Sequence, residues 1–336
     1  QRQMCIRDSE EVAQMTNVIH RVTGFFQTFI DRYRNLGYKA KKKIRFVIGR
    51  IFLYYVLIEL AYLFLLPFIY ILTTSMMSYQ DYLDPTVEWI PTAIEWENFT
   101  SAWQGLNYPR AFLNSLITSL GSAVLQCVSC AIIGYALGRF KFRGKNILFV
   151  LVILVLLIPP QTMILSSYGL WATFGMTNTY WPILIPCIFG LGLRGALFAL
   201  IYMYFFQRVP DAMDDAARID GAGPFRVFLQ IMLPLVKSAI SIVFIFSFVW
   251  HWNDNYEAPT YMFNQNMLTL QPKLENIQQY YSELMGYSGE ASEIDKAMTE
   301  PMLFAGCLLV MIPVLIVYIA GQNKLASGIE RIGVIE

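Results

Sequence analysis

Five ionisable side chains crowd into ten residues of an otherwise apolar chain: Asp211, Asp214, Asp215, Arg218 and Asp220, followed at once by Gly221-Ala222-Gly223-Pro224. Such a set could serve catalysis, a metal, a nucleotide or a partner protein. The first three lack companions. Only two histidines exist, His20 and His251, so a zinc site or a Ser-His-Asp triad has little material. The one Gly-Lys pair, Gly144-Lys145, is followed by Asn146 where a phosphate-binding loop needs Ser or Thr, and Arg139 stands where its first glycine belongs. Cys127 and Cys130 form a C-x-x-C pair inside an apolar run without metal-compatible partners, and they read as buried, inert thiols. No metal site, no catalytic set and no cofactor site is expected on this chain.

Locally the island reads as helix, sharp stop, helix. Asp211 can N-cap the first helix, and Asp214 and Asp215 suit the positive end of its dipole. Gly221 is a natural C′ residue, and Pro224 can open the next helix because its missing N–H has no partner to lose there. Ala212, Ala216 and Ala217 are small enough for another protein to approach the backbone closely. The island is either a connector that must stay out of lipid or a docking surface.

The rest of the chain explains why lipid matters. It has 336 residues, is 56% hydrophobic and 15% charged, and its mean hydropathy is +0.46. A soluble chain carries about 25% charged residues. The deficit predicts an all-α polytopic membrane protein, and a formal net charge of +1 gives no reason to expect nucleic acid. Six runs are long enough to span, at 46–73, 112–137, 147–165, 181–205, 235–252 and 301–320. Residues 1–9, QRQMCIRDS, read as translated adapter sequence outside the fold. Within residues 10–45 an apolar stripe from Val12 to Tyr33 at helical spacing predicts an amphipathic helix on the membrane lipids or on the protein's own flank. The basic cluster Lys39 to Arg45 follows it.

Loop charge sets the expected orientation. The basic N-terminal segment precedes an outer loop with Asp81, Asp84, Glu88, Glu95 and Glu97. Arg139, Lys141, Arg143 and Lys145 mark the next loop as cytoplasmic. The island at 206–234 carries Arg208, Arg218 and Arg226, whereas 253–300 is acidic and the tail at 321–336 returns inside. Both termini and the island are therefore expected in the cytoplasm.

Inside the spans, Glu59 and Arg194 are functional candidates because intramembrane charge is costly. Gly190, Gly192 and Gly195 surround Arg194 and would allow close helix contact or a break; the plainer expectation pairs Arg194 with an acid or with backbone carbonyls. Pro159-Pro160 must bend or end the third span. Trp252-Asn253-Asp254 closes the fifth, and Asn114 opens the second. Tyr168, Trp171 and Trp252 could stack on sugar rings, although cores use the same residues.

The island resembles the EAA motif of ABC importer membrane subunits. Asp215-Ala216-Ala217, Gly221, Ile231 and Leu233-Pro234 keep all its spacings, with Asp215 in place of Glu and Asp214 beside it able to share the role. Residues from about Asn114 to Gly333 look like the carbohydrate-type permeases related to the six-span maltose-system subunit: Asn114-Ser115, Ala136 to Gly144, Ile158-Pro159, Ile219-Asp220-Gly221, Trp252-Asn253-Asp254, Gln322 and Gly328. The resemblance implies the type I permease fold, with Asp214 to Gly221 as a coupling helix seated in a cytoplasmic ABC ATPase dimer that binds ATP and Mg. It implies a second permease subunit in a heterodimer, and an extracytoplasmic solute-binding protein that delivers a sugar or oligosaccharide. Arg194, Asn114, Trp252, Asn253 and Asp254 are the expected substrate pathway. The competing expectations are an importer of another solute and an ion-coupled transporter run by Glu59 and Arg194.

Overall fold

The computed structural model describes residues 37–277, 279 and 300–333. The adapter-like prefix, the amphipathic stripe and most of 278–299 lie outside them. The described residues contain helices and no strand. By contact the chain forms two units, residues 1–69 and 70–336.

Helix α1 is Tyr38–Ser75. It begins with the basic cluster Lys39 to Arg45, which forms the helix's first two turns directly ahead of the apolar run. Phe46, Ile51, Phe52, Leu63 and Phe64 are exposed along it, as lipid-facing side chains would be. Glu59 lies midway and is exposed too.

The second unit is a helical bundle. Its elements are α2 (Tyr79–Leu83), α3 (Glu97–Gly105), α4 (Tyr108–Arg139), α5 (Lys145–Leu157), α6 (Pro160–Thr173), α7 (Trp181–Ile188), α8 (Gly195–Gln207), α9 (Asp211–Ile219), α10 (Pro224–Leu235), α11 (Lys237–Trp252), α12 (Glu257–Tyr261), α13 (Leu270–Glu275) and α14 (Glu300–Gly333).

The six runs do not become six plain rods. Among the described residues, only α1, α4 and α14 are long and apolar enough to cross a membrane alone. The third run bends by 96° between α5 and α6, because Pro159 and Pro160 cannot continue the ladder of α5. The fourth breaks into α7 and α8 across residues 189–194, where Gly190 adopts φ +70° and Arg194 φ +59°. At 1.5 Å per residue, α8 alone is about 20 Å long, short of the roughly 30 Å hydrocarbon core. The fifth run starts at Lys237, turned by 78° from α10. The tail residues through Gly333 continue α14 as helix.

Glycine sets the tightest packing in the bundle. A Cβ on Gly134 would lie 2.4 Å from the Tyr202 Cβ and 2.7 Å from the Met203 backbone nitrogen; one on Gly138 would meet Phe206 at 3.1 Å. Residues 134 and 138 are one helical turn apart, the small-xxx-small arrangement that brings membrane helices together. Gly134→Ala should force α4 and α8 apart and cost about 1–3 kcal/mol, read as a lower thermal midpoint in detergent.

The loops sort to opposite ends of this bundle. At one end Asn114 Nδ2 donates to Asn266 O and Leu268 O, Leu270 N donates to Ser115 Oγ, and Trp103 stacks on Tyr108. That end holds 76–107 and 253–277, with Asp81, Asp84, Glu95 and Glu257. The other end holds Lys141, Arg143, Arg208, Arg226 and the island. The alternation of loop charge therefore has a spatial counterpart.

Candidate functional site

The island folds as helix, left-handed stop and helix. Asp220 N donates to Ala216 O and Ala222 N donates to Ala217 O, with Gly221 at φ +77° between them. The first is the last regular bond of α9, and the second is the six-to-one bond of a Schellman-type stop, which satisfies the Ala217 carbonyl at the end of the helix. Pro224 then opens α10. A π-helical turn at Phe228–Met232 precedes Leu233-Pro234, where the helix must do without the Pro234 N–H.

The two adjacent carboxylates of α9 point to different places. Asp214 is buried, and one of its oxygens lies 3.5 Å from Arg139 Nη2. Arg139 Nη1 lies 2.9 Å from Asp211 and donates to Val209 O at 2.8 Å. Arg139 is the last residue of α4, so one guanidinium fixes both the start of α9 and the strand of chain leading into it. Asp211 sits in the first turn and pairs with Arg139; it is not the N-cap expected of it. Asp215 is exposed and makes no hydrogen bond or ion pair among the described residues. Asp214 thus holds the helix down, and only Asp215 is available to a partner.

The inner face of α9 is continuous with the core. Ala217, Val227, Phe228 and Met232 pack into one cluster with Tyr135 of α4 and with Phe198, Tyr202 and Phe206 of α8. The Tyr135 ring lies 5.0 Å from Phe228 and 5.2 Å from Phe206. Ile231 and Leu233 are partly buried against the same cluster, and Pro234 is exposed. The outer face presents Asp215, Ala216, Asp220 and Gly221, flanked by Ile219 at 86% exposure and Phe225 at 75%. A push on this face reaches α4 and α8 through close-packed rings, because dense cores transmit displacement.

At the opposite end the expected pathway residues separate. Asn114 spends its amide on Asn266 O, Leu268 O and the Tyr180 hydroxyl, which donates to its Oδ1 at 2.7 Å. Trp252 is buried against Phe112 and Phe248, with Nε1 donating to Val310 O at 3.1 Å. Asp254 accepts from the backbone N–H groups of Tyr256, Glu257 and Ala258. These three side chains are structural. Tyr168 and Trp171 are likewise committed, packing against Ile183, Ala258 and Tyr261. Arg194 and Asn253 remain and line one cavity with Gln161, Trp250, Tyr256 and Glu257. The expected pairing of Arg194 with an acid or carbonyls is absent among the described residues. Its guanidinium lies over the Trp250 ring, 5.7 Å from the centroid.

A model of the family described as binding-protein-dependent transport system inner membrane component matches residues 131–331, which include the whole island. The chain belongs to this family. Among similar proteins, the melibiose/raffinose/stachyose import permease protein MelC of Bacillus subtilis is 28% identical over 267 residues, 79% of this chain and 89% of the relative. The diacetylchitobiose uptake system permease protein NgcG of Streptomyces coelicolor is 28% identical over 268 residues, 80% and 83% of the two chains. The fold is similar to that in a bacterial ABC transporter involved in import of the acidic polysaccharide alginate, with TM-score 0.66 and 18% identity over 86% of this chain and 99% of that one. The protein is a multi-pass membrane permease component of an ABC importer.

Two consequences of the permease's geometry are measurable. Gly221 has open space around the place of its missing Cβ, so substitution strains only the backbone. Gly221→Ala should cost about 1–2 kcal/mol and Gly221→Val more, lowering the thermal midpoint and uptake together. Glu257 is half-buried on the outer segment, and burial, with Asp254 next in effect, pushes its carboxyl up to about 7. Folding therefore disfavours its charged form. The cost is absent below pH about 4.5, grows through the window to 7, and is full above it, at most about 3 kcal/mol. Thermal stability should fall as pH rises from 5 to 8, and Glu257→Gln should flatten that slope.

Proposed function

We propose that this permease imports a sugar or oligosaccharide, driven by a cytoplasmic ABC ATPase dimer that holds ATP and Mg on its own subunits. The observation that carries the coupling is α9, whose exposed face ends in Asp215 and Gly221 while its buried face is tied to α4 by Arg139. Closure of the ATPase dimer moves α9 as a rigid body, and the bundle switches between inward-facing and outward-facing states. A second permease subunit completes the pathway as a heterodimer. An extracytoplasmic binding protein docks at the acidic end, where the segment from Asn253 emerges, so the island and both termini face the cytoplasm.

The sugar reading is supported by relatives named for melibiose, raffinose, stachyose, diacetylchitobiose and arabinooligosaccharides. A strain lacking the gene, tested on melibiose, raffinose, diacetylchitobiose, peptides and amino acids, should lose growth on one of the saccharides alone. Loss confined to peptides or amino acids would contradict a sugar as the cargo.

A further inference from the structure

The break between α7 and α8 carries an arginine whose side chain makes no hydrogen bond or ion pair among the described residues. Arg194 has φ +59°, a backbone region that is unfavourable for a side chain bearing a Cβ. The strain is held from behind. Gln126 Nε2 donates to Leu193 O at 3.1 Å, Ser247 Oγ donates to Gln126 Oε1 at 2.6 Å, and His251 Nδ1 lies 2.8 Å from Ser247 O. Gly195 N donates to Gly192 O at 2.7 Å, and a Cβ on either glycine would collide with its surroundings. Strain kept in place by a buried network points to a demand on the residue that carries it.

The cavity that receives Arg194 holds 190 Å³ and is half-open. Its walls come from the start of α6, the α7–α8 break and the loop after α11. Arg194 is exposed and forms no ion pair with Glu257, although both line the cavity. Asp254 has spent its carboxylate on three backbone N–H groups. Trp250 is no free platform, since Phe198 and Phe246 stack on it at 5.4 and 5.5 Å; it supports the guanidinium instead. Among the described residues, the lining groups that make no side-chain hydrogen bond or ion pair are the Arg194 guanidinium, the carboxamides of Gln161 and Asn253, the Glu257 carboxyl and the half-exposed Tyr256 ring.

Planar forks of donors and acceptors around one ring suit a ligand whose every polar group both donates and accepts, which is a polyol. The cation and the carboxyls offset each other, so nothing selects net charge. The volume lies below the roughly 300–1,000 Å³ of pockets for larger ligands, so one ring fits and a chain does not. We propose that this cavity is a pathway contact for one neutral glycosyl unit, with Arg194, Asn253 and Glu257 hydrogen-bonding its adjacent hydroxyls. The inference rests on the sugar-import reading above.

The test uses the complete importer in proteoliposomes, with its ATPase, second permease and binding protein. Uptake of melibiose, raffinose, diacetylchitobiose and alginate oligomers is measured for the wild type, Arg194→Gln, Asn253→Ala and Tyr256→Ala, beside ATP hydrolysis stimulated by the loaded binding protein. Expected are a wild type that imports a neutral saccharide, and variants at least tenfold slower in uptake with stimulated hydrolysis within twofold, because α9 is untouched. Asn253→Ala and Tyr256→Ala leave the strained backbone alone and keep the test valid if Arg194→Gln fails to fold. Wild-type uptake of the neutral saccharide with all folded variants within twofold of it would overturn the cavity assignment and leave the sugar reading standing. A wild type that imports only alginate oligomers, with Arg194→Gln losing them, would overturn the neutral ligand. A wild type that imports none of these saccharides would overturn the sugar reading itself.

Discussion

Asp215→Lys should abolish solute uptake while leaving the permease inserted, assembled with its second subunit and unchanged in thermal midpoint. The two halves of that expectation have separate physical grounds. Stability is spared because Asp215 is exposed and bonded to nothing among the described residues, and surface substitutions of that kind cost within about 0.5 kcal/mol. Uptake is lost because an exposed carboxylate beside Ala216 and Gly221 is the charge a basic partner can reach by a charge-assisted hydrogen bond. A like charge there repels the same partner. Asp214→Lys makes the contrast: it buries a cation against Arg139 and should lower the midpoint by several degrees before any question of coupling arises. Transport assays in membrane vesicles paired with thermal unfolding separate the two carboxylates.

Arg139→Ala carries the other large effect. Arg139 is 5% exposed and bridges Asp211, Asp214 and the Val209 carbonyl. Removing one partner of a buried ion pair costs about 3–5 kcal/mol, because the remaining charge stays desolvated. Here that charge is Asp214, and the cheapest relief is for the start of α9 to lift from α4. The variant should therefore lose stability and also lose transmission, with uptake down at least tenfold and ATP hydrolysis no longer responsive to loaded binding protein. Arg139→Lys should fall between, since an ammonium cannot hold three acceptors in one plane as the guanidinium does. Equal behaviour of Lys and Ala at this position would mean that α9 does not need the bridge.

The island was largely legible in the sequence because its signals are local. The αL stop at Gly221 and the helix start at Pro224 follow from residues adjacent to them, and both stand where their chemistry puts them. The division of labour between Asp214 and Asp215 was hidden, because it depends on Arg139, distant in sequence, and Arg139 looked like one more cytoplasmic positive charge. The outer site was hidden in the opposite way. Trp252-Asn253-Asp254 drew attention as polar residues at a span end, yet two of the three are structural. A signal existed for one of them: Asp254 and Glu257 have the spacing of a capping box, and Asp254 accepts from the N–H groups two and three residues on. Glu257 and Gln161, which line the cavity, come from segments that meet only after the 96° bend and the α7–α8 break. Nothing in a linear pattern gives the direction of such a turn. The close approach at Gly134 and Gly138 was hidden too, because its partner helix α8 emerges only from the break in the fourth run.

The direct test of transmission through α9 is site-specific cross-linking in the assembled importer. Native cysteines are replaced, a single cysteine is placed at Ile219, whose side chain is 86% exposed on the outer face of the island, and a second at exposed Asp84 on the acidic end. A thiol-to-amine cross-linker should join the Ile219 position to the ATPase subunit, with a yield that changes between nucleotide-free and ATP-bound states, and should leave the Asp84 position free of ATPase. An ATPase adduct at Asp84 and none at Ile219 would contradict the account.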